Sequence, residues 1–142
     1  MGVGRSVFWD DLASDLENPE FLREYVAESI RIATIDRIVN QLDTARVAAG
    51  LTKAGLAHAI GSEPATVRRL FSSSHVNPTL GTLAEVAAAL GMRVVLEPLG
   101  AKDREQITRP LVEGRTDDRR ALAARIDELR NGEADPLVAS PS

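Results

Sequence analysis

The stretch LTKAGLAHAIGSEPATVRRLF, Leu51 to Phe71, constrains this chain more than any other. Apolar residues recur at helical spacing on both sides of one glycine, so it reads as helix, tight turn, helix. Ala57 is small enough to let the two helices approach. Gly61 takes the positive φ that the turn demands. Val67 and Leu70 sit three apart on the inward face of the second helix. Lys53, Arg68 and Arg69 flank the motif with positive charge on its outward side.

Composition narrows the setting. A chain of 142 residues fits one compact domain with appendages. Aromatics are scarce and alanine and leucine abundant, which favours helix packed on helix over a β-sandwich. There is no cysteine, so disulfides and thiolate metal sites are excluded and a reducing cytoplasm is the simplest home. No apolar run is long enough to span a membrane, and Met1 to Val7 is too short and polar for a signal peptide. The net charge of -4 hides an uneven distribution. Residues 1–50 hold nine acids against five arginines; residues 51–100 hold Lys53, Arg68, Arg69 and Arg93 against Glu63, Glu85 and Glu97. A local cationic footprint, not a basic average, is what a nucleic-acid surface needs.

Along the chain, residues 1–17 read as an irregular acidic arm, with Phe8 and Trp9 as a local hydrophobic tether. Asn18-Pro19 opens a helix, asparagine as N-cap and proline at the first helical position. Phe21, Leu22, Tyr25, Val26, Ser29 and Ile30 follow at helical spacing. A second run, Ile35 to Val47, ends at Gly50. Periodicity leaves open whether these are one helix or two. Two is the reading here, because Thr34 and Asp36 are tolerable caps and the apolar stripe shifts at Ile35. Thr52 caps the helix from Lys53 to Ile60, and Glu63 to Phe71 forms the next, with Pro64 in its first turn. Residues 72–78 make a polar connector. Thr79 caps a helix from Leu80 to Leu90, stopped by Gly91. Arg93-Val94-Val95-Leu96-Glu97 is short, β-branched and bounded by Gly91 and Pro98, and reads as one strand. With no partner in a helical chain, it would pair with its own copy about a two-fold axis. Residues 100–114 read as a charged linker. An amphipathic helix over 118–130 follows, capped by Thr116 or Asp117, and a disordered tail closes the chain.

Read this way, Leu51 to Leu90 resembles the Xre, or lambda-repressor-like, helix-turn-helix family. Leu56, Ala57, Ile60, Gly61, Val67 and Leu70 carry the resemblance, with the phrase NPTLGTLAEVAAALG, Asn77 to Gly91. That phrase and DLENPEFLREYVAESI, Asp15 to Ile30, are similar to the HigA-type antitoxins of toxin–antitoxin modules. The chain departs from the family at Lys53, where glutamine is frequent. It also departs at Gly55, mid-helix, where close backbone approach and drift are both open explanations. The resemblance covers roughly residues 15–98, and the expected fold is all-α: a lambda-repressor-like helix-turn-helix bundle with an N-terminal helix, to which the residues themselves add one short C-terminal β-strand for inter-subunit pairing and a C-terminal helix. The expected segments are 1–17 (arm), 18–33 (N-terminal helix), 34–100 (DNA-binding domain with dimerisation strand) and 101–142 (linker, helix and tail).

In the family's docking pose the side of the second helix opposite Val67 and Leu70 faces base edges. That side holds Pro64, Ala65, Arg68, Arg69 and Ser72. Arginine forks onto guanine O6 and N7, so Arg69 is the first base reader; Arg68 takes a base or a phosphate. Pro64 and Ala65 offer apolar contact to a thymine methyl. Thr66 and Lys53 are phosphate contacts, and Ser72 to Ser74 add backbone hydrogen bonds. His58 and His75 lack a third convergent ligand, so no metal site is expected. The serine run lacks a base, no catalytic constellation or cofactor loop appears, and neither enzyme nor cofactor is expected. The resemblance implies a homodimer on a near-palindromic double-stranded operator, autoregulating its operon, with a small ribonuclease toxin as partner. A stand-alone regulator of the same fold, and an interaction module that has lost the DNA surface, stay open beside it.

Overall fold

The computed structural model describes residues 3–72 and 76–132. The chain divides into two compact units, one of Met1–Thr34 with Glu97–Ser142 and one of Ile35–Leu96. Among the described residues every regular element is helical: α1 Val3–Asp15, α2 Pro19–Ala48, α3 Lys53–Ala59, α4 Pro64–Ser72, α5 Leu80–Ala89, α6 Ala101–Asp103, a π turn Arg104–Thr108, α7 Arg109–Glu113 and α8 Arg119–Asn131.

The expected strand Arg93–Glu97 does not form. Residues 92–100 carry no regular structure, and Met92, Val94, Val95 and Leu96 are exposed. A β-branched run favours a strand only where a neighbouring strand supplies the ladder, and the described residues contain none. Pairing of two subunits through this strand therefore has no element to rest on. The 1–17 stretch, read as irregular, is helical from Val3 to Asp15. Leu12, with Leu16 just past the helix end, supplies its buried side. The supposed break near Thr34 is also absent, since α2 is one helix of 30 residues. Its stripe shifts because Leu22, Val26 and Ala33 serve one core and Val39 and Leu42 the other.

In the unit holding the termini, Asn18 caps α2 as the sequence indicates, its Oδ1 accepting from the backbone N–H of Glu20 and Phe21 at 2.9 and 3.2 Å. The core gathers Leu12, Leu16, Leu22, Val26, Ile107, Leu122, Ile126 and Leu129. Residues 101–113, expected as a linker, are helical throughout, with Asp103, Ile107 and Pro110 buried. Asp118, one residue beyond the expected caps, caps α8 by accepting from Ala121 N–H at 3.0 Å. The C-terminal tail from residue 133 lies outside the described residues.

The second unit packs the end of α2 with α3, α4 and α5 around Leu56, Ala57, Val67, Leu83, Val86 and Ala87. Thr52 and Thr79 cap α3 and α5, each hydroxyl accepting a backbone N–H three residues on. Both caps stand where the sequence puts them.

Candidate nucleic-acid interface

The surface begins with the turn between α3 and α4. Ser62 N–H donates to the Ala57 carbonyl at 2.9 Å and Gly61 N–H to that of His58 at 3.2 Å. Gly61 sits at φ +66°, a conformation that a side chain disfavours. Ala57 is fully buried, so the two helices meet at a methyl group. Val67 and Leu70 anchor α4 at 1 % and 5 % exposure.

Because α4 is short and holds its apolar side inward, the opposite side is committed to solvent. Pro64, Ala65, Arg68, Arg69 and Ser72 are exposed on it. Thr66 is half-buried and, with Arg69, borders a cavity of about 290 Å³ shared with Asn77, Pro78 and Thr82. The Ser72 hydroxyl donates to the Arg68 carbonyl of its own helix. Neither Arg68 nor Arg69 is held by an ion pair among the described residues, and both guanidiniums keep their donors for a partner. Lys53 opens α3, half-buried. Ser73, Ser74 and His75 lie outside the described residues, and His58 is exposed. Among the described residues no cluster of His, Asp or Glu is suited to a metal ion.

Gly55 donates its N–H to the Thr52 hydroxyl oxygen at 2.9 Å, and a Cβ there would stand 3.1 Å from that oxygen. The α5 cap makes the same bond to Thr82, which carries a Cβ, so the contact is tight but does not by itself require glycine.

Sequence reasoning passed over Arg46. Its Nε donates to Asp43 Oδ1 at 2.9 Å, its Nη1 to the Leu51 carbonyl at 2.7 Å, and its guanidinium carbon lies 5.6 Å from the centre of the Phe71 ring. One side chain thus ties the end of α2 to the entry of α3 and the end of α4. The i, i+3 pair Asp43–Arg46 was the available signal; its link to Phe71 was not visible in the sequence.

Residues 42–95 match the helix-turn-helix family, and this segment is a helix-turn-helix domain of the Xre/lambda-repressor-like kind. Comparison with curated proteins and with solved structures gives no match.

Proposed function

We propose that the chain is a sequence-specific, DNA-binding transcriptional repressor that acts as a homodimer. One observation carries the reading: α4 buries Val67 and Leu70 and turns Ala65, Arg68 and Arg69 outward, in the second helix of a helix-turn-helix domain. A helix so presented enters a major groove, where arginine reads guanine and a methyl group meets thymine. Two copies would set their reading helices in successive grooves roughly 34 Å apart, which calls for a near-palindromic operator. The exposed apolar residues Met92, Val94, Val95 and Leu96 support a second copy as partner, since clustered apolar surface is costly to leave in water. No described helix is long and apolar enough to cross a membrane. The reading places the protein with the chromosome in the cytoplasm, and its work there is binding, not catalysis.

The finer role we infer is that of an antitoxin that autoregulates its operon. The exposed carboxylates Asp11, Asp15, Glu20 and Glu24 support it, because an acidic face speeds association with a basic, RNA-binding toxin. The test of DNA binding is a fluorescence-anisotropy titration with the duplex upstream of the protein's own gene and with scrambled duplex, at two salt concentrations. Specific binding survives the higher salt better than binding to scrambled duplex. Equal affinity for both duplexes overturns the reading in favour of a non-specific or purely protein-binding module. The antitoxin role is checked separately, by co-purification with the product of a small neighbouring gene; a neighbourhood without one leaves a stand-alone regulator.

A further inference from the structure

The helix α4 is held unevenly along its length. Its start is fixed by the turn before it, where Ser62 N–H donates to Ala57 and Gly61 N–H to His58. Farther on, Val67 and Leu70 hold it by apolar packing. Apolar contact is non-directional. It settles which side of a helix is buried better than it settles the helix's roll about its own axis. A side chain that reads a base needs the roll as well, because such contacts tolerate only about 10–20° of misalignment.

A directional contact reaches the last turn of α4. The Arg46 guanidinium carbon lies over the Phe71 ring, 5.6 Å from its centre, a distance at which a cation and an aromatic face attract. Helical spacing sets Phe71 on the shoulder of α4 between buried Val67 and exposed Arg68. Rolling α4 therefore shifts the ring against the guanidinium while it swings Arg68 and Arg69 off their direction. The guanidinium is itself pinned. Nε and Nη2 both meet Asp43 Oδ1 at 2.9 Å, and Nη1 donates to the Leu51 carbonyl at 2.7 Å. The Leu51 N–H donates back to the Arg46 carbonyl at 3.2 Å. Only 14 % of the Arg46 side chain is exposed, so water competes little for these bonds. The end of α2 and the entry of α3 thus form one platform, and Phe71 rests on it.

We propose that Arg46 is a positioning residue for base recognition: it sets the roll of α4 through the face of Phe71 and touches no part of the duplex itself. The proposal rests on the DNA-binding reading and deepens it.

The test is anisotropy titration of the full chain with the duplex upstream of its own gene and with scrambled duplex, across a salt series. The temperature is one at which circular dichroism shows every variant as helical as wild type. Arg46→Lys keeps the charge and loses the fork that spans Asp43, Leu51 and the ring. It is expected to bind the operator about tenfold or more weakly, as for loss of one aligned base contact, with affinity for scrambled duplex unchanged. Phe71→Leu keeps the apolar packing, removes the ring face and shows the same selective loss. Phe71→Tyr keeps the face and the operator preference. The double variant, Arg46→Lys with Phe71→Leu, loses no more than either change alone, as for residues acting through one contact. Arg46→Met removes the charge and leaves the salt slope on scrambled duplex at its wild-type value.

An operator preference unchanged in Arg46→Lys or in Phe71→Leu, or losses that add in the double variant, overturns the proposal. So does a loss equal on both duplexes. A slope lower by about one in Arg46→Met makes Arg46 a phosphate contact and overturns it too. A wild type without operator preference removes the repressor reading and this proposal together. A wild-type preference that every variant shares removes this proposal alone.

Discussion

Arg125 and Asp103 form a two-pronged ion pair. Nε reaches Oδ1 at 3.0 Å and Nη2 reaches Oδ2 at 3.1 Å, with the side chains only 14 % and 8 % exposed. Nη1 donates to Glu128 at 3.1 Å. The hydrogen bonds it donates to Asp103 are the main reason the Arg125 guanidinium holds its proton even more firmly than usual. The pair ties α6 to α8 across 22 residues of sequence, and buried ions cost most when only one partner is removed. Asp103→Ala should therefore destabilise its unit by about 3 kcal/mol, near the low end for such pairs because Glu128 keeps one contact with the arginine. The double change Asp103→Leu with Arg125→Met should be much milder. Urea unfolding followed by the fluorescence of Trp9, the single tryptophan and a residue of the same unit, measures both. A double variant as weak as the single one would show that the pair is not the source.

Tyr25 is the single tyrosine, stacked on Phe21 with ring centres 6.0 Å apart. Desolvation by burial pushes its pKa above 10.0, with Arg130 opposing and Asp127 adding to the rise. The native state therefore keeps a proton that the unfolded chain releases near pH 10. Stability is unaffected by this group below that pH and falls as pH climbs from 10 through the higher native pKa. Tyrosinate absorbance should titrate above pH 10 in buffer and near 10 in urea. Arg130→Gln removes the lowering influence and should move the native midpoint higher still. Tyr25→Phe should flatten the alkaline part of the stability curve.

Gly114 ends α7 at φ +75°, and a Cβ there would stand 2.8 Å from the Arg23 guanidinium carbon. Arg23 itself donates to the Leu111 and Val112 carbonyls at 3.4 and 3.2 Å, closing the end of that helix. Gly114→Ala thus meets two penalties, backbone strain of about 1–2 kcal/mol and displacement of the arginine. Gly132→Ala, at φ +66° with open space around it, meets only the first. Melting of the two variants should show Gly114→Ala the more damaging. Adding Arg23→Ala to it should cost less than the sum of the single changes.

How much of this was legible varies by element, for physical reasons. The helix-turn-helix was readable because its signals are local: Thr52 and Thr79 as caps, Gly61 in the turn, Val67 and Leu70 three apart. Residues 101–114 hid because their buried positions, 103, 107, 110 and 114, follow helical spacing but carry Asp, Ile, Pro and Gly. Only one beat in four is aliphatic, and the partner that lets Asp103 be buried lies far along the chain. Leu12 of α1 and Leu16 just after it were masked by the acids around them. The false strand is the reverse case. Val94, Val95 and Leu96 satisfy a propensity, but a strand is made by its neighbour. Of the interface, the outward side of α4 was legible; the bracing of Arg46 against Phe71 was not, because it depends on the fold being complete.

Arg69 and Lys53 should separate reading from anchoring. Arg69 is exposed on the outward side of α4, whereas Lys53 sits half-buried at the start of α3. A side chain that forks onto a base edge contributes to discrimination; one that neutralises a phosphate contributes equally on any sequence. Arg69→Ala should lose roughly 1–3 kcal/mol on the operator and relax one base position while changing affinity for scrambled duplex less. Lys53→Ala should weaken both duplexes alike and reduce the slope of log K against log salt by about one. Anisotropy titrations across a salt series measure all four quantities. If both substitutions weaken random DNA to the same extent and leave the operator preference untouched, Arg69 is a phosphate contact too, and base reading falls to Arg68 or to the methyl group of Ala65.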